Sequence, residues 1–261
     1  MQNRTLWWPL FIAIVLLLAI SASGTNRSLF ILLNQSGTLL PDSAWQYLTV
    51  FGDGLVALVL LLPFAKRYPQ ILWAAAITGI LCGLATHGLK PLFNMDRPPA
   101  VLAQEAFYLI GPKHSSYSFP SGHSITAAAL AGVWAFSFHR PWTNSMLLLL
   151  AVLIASSRVM VGVHWPIDIL SGLIIGWSCA WVGVMLAHYW QWGCHTVTTH
   201  ILVIILTIAS ASLFFHDHGY PAALDLTKAV AIFCTLSGLL YLFYPSLKPF
   251  IKLPQLKLQR L

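Results

Sequence analysis

Two histidines, one carboxylate, three cations and a Ser-Gly pair fall in three short groups of this chain, and together they could transfer phosphate without a metal. The groups are Lys90 with Arg97-Pro98, Phe119-Pro120-Ser121-Gly122-His123, and Ser157-Arg158 followed by His164-Trp165-Pro166-Ile167-Asp168. A phosphate ester is anionic and must be held by fixed positive charge and hydrogen-bond donors. An arginine fork can engage two phosphate oxygens at once, whereas a lysine acts as a point charge. Lys90, Arg97 and Arg158 supply that charge. Ser121-Gly122 stands at the start of an apolar run, where free helix N–H groups favour an anion and glycine lets the backbone come close.

Hydrolysis then needs a nucleophile and an acid for the leaving oxygen. Asp168 follows His164 by four positions, and a helix starting near Pro166 is expected to place the pair on one face. Asp168 would hold one ring nitrogen and leave the other to attack phosphorus. His123 is the natural general acid, and the cations would stabilise charge on the equatorial oxygens.

The three groups, in this order and with these internal spacings, resemble the signature motifs of the type 2 phosphatidic acid phosphatase superfamily. The resemblance runs from the start of the chain to about Trp190. It implies a six-helix core, a phosphohistidine on His164, His123 as acid and Asp168 as the orienting partner of His164. It also implies Lys90, Arg97, Ser121, Gly122 and Arg158 as phosphate ligands, with no cofactor and no metal.

These residues need a membrane scaffold. Of 261 residues, 58% are hydrophobic and 8% charged, against about 25% charged in soluble domains. The fold class expected is an all-α polytopic transmembrane bundle. A spanning helix needs about 20 apolar residues, and suitable runs cover 6–22, 47–64, 71–89, 121–140, 145–163, 167–188, 199–215 and 226–244. The first reads as an uncleaved anchor rather than a signal peptide, because Trp7, Trp8 and Pro9 mark an interfacial start. Residues 26–37 read as a polar connection that includes a short interfacial helix, and 94–120 as the longest loop. Two units follow: a six-span catalytic core over 1–190, then two further spans and a basic tail over 191–261.

Orientation follows from charge. A cytoplasmic N-terminus puts Arg4, Lys66, Arg67, Arg140 and the tail residues Lys248, Lys252, Lys257 and Arg260 on the cytoplasmic side. All three motif groups then fall on the opposite, periplasmic face of a bacterial inner membrane. The substrate implied is a lipid carrying a phosphate monoester or diphosphate: undecaprenyl diphosphate, phosphatidylglycerol phosphate or phosphatidic acid. Lipid-to-lipid phosphotransfer would use the same groups. A transporter of anionic lipids is the contrasting class, disfavoured because the site residues gather at one face.

The net charge of +7 has no basic run with interleaved aromatics, which argues against nucleic acid. Cys82, Cys179, Cys194 and Cys234 have no paired spacing. Seven dispersed acidic residues do not suggest a two-metal centre. His216-Asp217-His218 reads as a solvated outer turn, and Lys113-His114 as solvated loop. His188, His195 and His200 read as interfacial histidines on the other side, and Ser157 as a packing residue.

Overall fold

The computed structural model describes residues 4–247 apart from Ser115 and His139, so the tail cations Lys248, Lys252, Lys257 and Arg260 lie outside the described residues. The described chain is helical, without strands. Its helices are α1 (Trp8–Ser23), α2 (Asn26–Ser36), α3 (Asp42–Val50), α4 (Gly54–Val59), α5 (Pro69–Phe93) and α6 (Pro98–Val101). They continue as α7 (Gly122–Phe138), α8 (Pro141–Met160), α9 (Pro166–Tyr189), α10 (Thr196–Leu213) and α11 (Leu224–Leu247). Proline opens α5, α8 and α9, where its missing N–H costs nothing and its fixed φ suits the first turn.

Five helices are long and apolar enough to cross a membrane, or up to seven if each of two bent pairs is one crossing. The 17-residue α7 sits at the lower end of the spanning range, about 17 to 25 residues. One bent pair is α1 with residues 26–39, turned by 116°; the other is residues 42–50 with 54–64, turned by 60°.

Two expectations change here. Residues 26–37 do contain a short helix, but it is packed into the core and not only polar: α2 buries Phe30 and Asn34 completely. The Asn34 amide donates to the carbonyls of Tyr108 (2.8 Å), Val159 (3.0 Å) and Met160 (3.1 Å) and accepts from the Tyr108 N–H. The run 47–64 is not one straight span either. It breaks at Gly52-Asp53, where glycine is needed for close approach, since a Cβ on Gly52 would lie 2.8 Å from Cβ and 2.9 Å from Cδ2 of His123. Asp53 then restarts the helix, its Oδ1 accepting from the N–H groups of Leu55 and Val56, a side-chain N-cap.

At the centre α7 and α9 pack backbone to backbone. A Cβ on Gly176 would overlap the Ile125 carbonyl oxygen, and one on Gly172 would lie 2.7 Å from that of Ser121. Without a hydrophobic drive between helices in lipid, such small-residue contacts are what let them approach. The approach joins the two helix starts that carry chemistry, with the Ser121 N–H donating to the Asp168 carbonyl at 3.1 Å. The hairpin of α10 and α11 packs on α4, and its outer turn reaches the core through the Ala222 N–H, which donates to Gln46 Oε1 at 2.9 Å.

Candidate active site

The turn from Arg158 to Asp168 is built locally. The N–H groups of Val163 and His164 donate to the Arg158 carbonyl at 3.1 and 3.2 Å, folding the chain back between α8 and α9. Gly162 has φ +83°, and a Cβ there would lie 2.6 Å from the Tyr108 carbonyl oxygen. The turn therefore requires glycine twice over. Trp165 closes it from the side, donating from Nε1 to the Asp96 carbonyl at 2.8 Å and meeting Phe30 edge-on.

His164 is 2% exposed and Asp168 wholly buried. His164 Nδ1 lies 3.2 Å from Asp168 Oδ2. The expected pair forms, but not as a shared helical face, since α9 starts at Pro166, after His164. Asp168 sits in the first turn of α9, and its Oδ2 reaches back to accept the Trp165 N–H at 2.8 Å. One carboxylate oxygen thus both caps the helix and holds the ring. Ser118 Oγ donates to the same oxygen.

Arg97 fixes the tautomer. Its guanidinium only donates, and Nη1 lies 3.1 Å from His164 Nε2, so Nε2 presents its lone pair and Nδ1 carries the proton toward Asp168. The rest of Arg97 is held by backbone: Nε donates to the Ser116 carbonyl at 2.8 Å and Nη1 to the Val163 carbonyl at 3.0 Å. Burial first, then the nearby Arg97 and Arg158, hold the His164 imidazole well below the usual histidine value. His114, in the loop above, is pushed down to about 4 by burial and by Arg158, Arg97 and Lys90.

The other predicted residues gather around this centre. Arg158 is 2% exposed, with Nη1 donating to Thr49 Oγ1 at 2.5 Å and to the Tyr220 hydroxyl at 3.0 Å. Its Nε is buried and has no hydrogen-bond partner among the described residues. Lys90, half-buried near the end of α5, is within electrostatic range of Arg97, Asp168 and Arg158. Ser121 is buried at the start of α7, its Oγ accepting from the Ser124 hydroxyl at 3.0 Å, which leaves its own proton free to donate. Gly122 and His123 follow on the first turn, and both line an apolar cavity of about 390 Å³ among α4, α5 and α7. That cavity follows α5 from Thr86 back to Ala75, which is about three helical turns.

Four contributors lie outside the sequence reading: Ser118, Asn34, Thr49 and Tyr220. Ser118 stands two positions before the Pro120-Ser121-Gly122-His123 group, a local signal that could have been used. Thr49 and Tyr220 had none, since they reach Arg158 across 109 and 62 residues. Lys113, by contrast, is exposed, as expected of a loop residue. The four cysteines are free.

A profile of the PAP2 superfamily matches residues 68–192. YbjG of Escherichia coli K12, provisionally named an undecaprenyl-diphosphatase, is 35% identical over 58% of this chain and 77% of its own length. The undecaprenyl-diphosphatase of Sulfolobus acidocaldarius is 28% identical over 62% of this chain and 77% of its own. Among solved structures, LpxE of Aquifex aeolicus superposes with a TM-score of 0.53 at 28% identity, covering 61% of this chain and 94% of that one.

Proposed function

The chain belongs to the PAP2 superfamily, and from that membership we propose that it is a membrane lipid phosphatase that cleaves a terminal phosphate through a phosphohistidine on His164. The observation that carries this reading is the buried His164, with Asp168 at Nδ1 and Arg97 at Nε2, together with His123 in the wall of an apolar cavity.

The lipid tail lies in the cavity and the terminal phosphate lies against His164. Arg97 then moves its donors from Nε2 to phosphate oxygens, joined by Lys90, Arg158, the Ser121 hydroxyl and the N–H groups at Gly122. Nε2 forms its bond to phosphorus as the ester or anhydride oxygen departs with a proton from His123. The Nδ1 proton, shared with Asp168, stabilises the positive ring. Water, giving its proton to His123, then releases inorganic phosphate and restores His164. No step calls on a metal.

The catalytic unit spans 1–190, and 191–261 forms a second unit. The site faces outward from a bacterial inner membrane, with both termini cytoplasmic. Lys66, Arg67 and Arg140 support this orientation, standing at the helix ends away from the motif turns.

The test is phosphate release by the solubilised chain from undecaprenyl diphosphate, phosphatidylglycerol phosphate and phosphatidic acid, each with chelator present. Release from at least one is the expected result. Release from none, with transfer to an added lipid alcohol, would favour phosphotransfer.

The pH profile is a separate expectation. The free lone pair on His164 is lost when the ring protonates, and its folded pKa lies below the ordinary 6.5. The share of His164 able to attack is therefore complete above that pKa and falls as pH drops through it, so the acid limb of kcat/KM is centred below pH 6.5, while loss of the His123 proton sets a separate basic limb. A limb centred above about 7 would contradict the environment described for His164.

A further inference from the structure

We propose that Asp53, His216 and His218 bind a divalent transition-metal cation of the Zn²⁺ class, and that this ion receives the inner phosphate of a lipid diphosphate. The second half rests on the lipid-phosphatase reading. The turn His216-Asp217-His218 is not simply solvated: it folds onto Asp53, which lies more than half the chain upstream. The three ligand atoms lie within 4.8 Å of one another.

His218 Nδ1 and Asp53 Oδ2 are 3.7 Å apart. That is too long for a hydrogen bond but close to the edge of a tetrahedral zinc site, about 3.4 Å for bonds of about 2.1 Å. His216 is exposed, and closing the remaining gap needs a shift of its side chain toward Asp53 and His218. Two imidazoles and a carboxylate suit zinc or its neighbours rather than magnesium or calcium, and three protein ligands leave a position open for an anion.

Both sides are held in place before any ion arrives. Asp53 uses Oδ1 to cap α4, which leaves Oδ2 aimed at His218. The histidine turn is closed by the Gly219 N–H, which donates to Asp217 Oδ1 at 2.7 Å. Gly219 itself has φ +74° and packs on Pro112. His218 is nearly buried, and the rings of His216 and His218 meet at 4.5 Å.

Position gives the ion its role. Asp53 and His123 line the same cavity. A diphosphate held with its outer phosphate on His164 and its tail in that cavity enters a space with Asp53 in its wall, where this proposal puts the inner phosphate. A bare carboxylate repels it there. A divalent ion on Asp53 reverses the sign of the contact and leaves monoesters, which have no inner phosphate, unaffected.

The experiment uses the full chain in detergent, stripped with chelator and then dialysed against micromolar Zn²⁺. One zinc per chain is expected, with affinity at least roughly tenfold weaker in His216→Ala and in His218→Gln. Circular dichroism and melting confirm that the variants fold. Zinc removal is expected to raise KM for undecaprenyl diphosphate at least roughly fivefold and to leave phosphatidic acid within about twofold. Absence of stoichiometric zinc, or equal zinc in a double variant, would reduce Asp53 and His218 to an ion pair and overturn the site. Stoichiometric zinc with equal effects on both lipids would overturn its role. If neither lipid releases phosphate, the phosphatase reading fails and the inner-phosphate role with it, while the zinc stoichiometry still decides the site.

Discussion

Replacing His164 by alanine is expected to lower phosphate release by at least roughly 10³-fold while leaving lipid binding nearly intact, since loss of a nucleophile removes the covalent route and not the cradle. The cradle is held independently of the ring. Arg97 keeps its bonds to the carbonyls of Ser116 and Val163, and Arg158 its bonds to Thr49 and Tyr220. Phosphate release and lipid binding are measured on the same preparation. Retained turnover would mean that another group attacks phosphorus. Lost binding would mean that the ring holds the cradle together.

Asp168→Asn carries the second large effect, a fall of about 10⁴-fold in kcat, the size seen on neutralising the carboxylate partner of a catalytic histidine. The substitution keeps an oxygen able to accept the Trp165 N–H, so the start of α9 survives. It removes the charge that stabilises His164 once the ring is positive and disturbs the tautomer that leaves Nε2 free. Asp168→Ala loses the cap as well, at a cost of about 1 kcal/mol. The pair of variants separates two functions of one oxygen. Asp168→Asn is expected to lose rate with little change in melting temperature, and Asp168→Ala to lose both. Equal loss of stability in the two would make Asp168 a structural residue first.

The motif residues were legible because each group is short and its chemistry local. The spacing alone places Asp168 within reach of His164, and a Ser-Gly pair before an apolar run marks a helix start. The pairing nevertheless arises from a helix cap, which spacing does not distinguish from a shared face. Long-range partners left no trace. Nothing near Thr49 or Tyr220 announces that either meets Arg158, because a buried guanidinium takes whatever acceptor the fold brings to it. The break at Gly52-Asp53 was hidden for a related reason. Both flanking runs are apolar, and the need for glycine comes from His123, far along the chain. Asn34 was read only as part of a polar connection, whereas its amide donates to the Val159 and Met160 carbonyls at the end of α8.

The central claim is a covalent phosphate on one ring nitrogen, and the direct measurement is to trap it. The chain is mixed with a lipid diphosphate labelled in its terminal phosphate, quenched within milliseconds in alkali, and digested for mass analysis. The account predicts label that is stable to alkali, lost in acid and confined to the peptide carrying His164, with none in His164→Ala. Label on His123, on a serine, or on His164→Ala protein would contradict it.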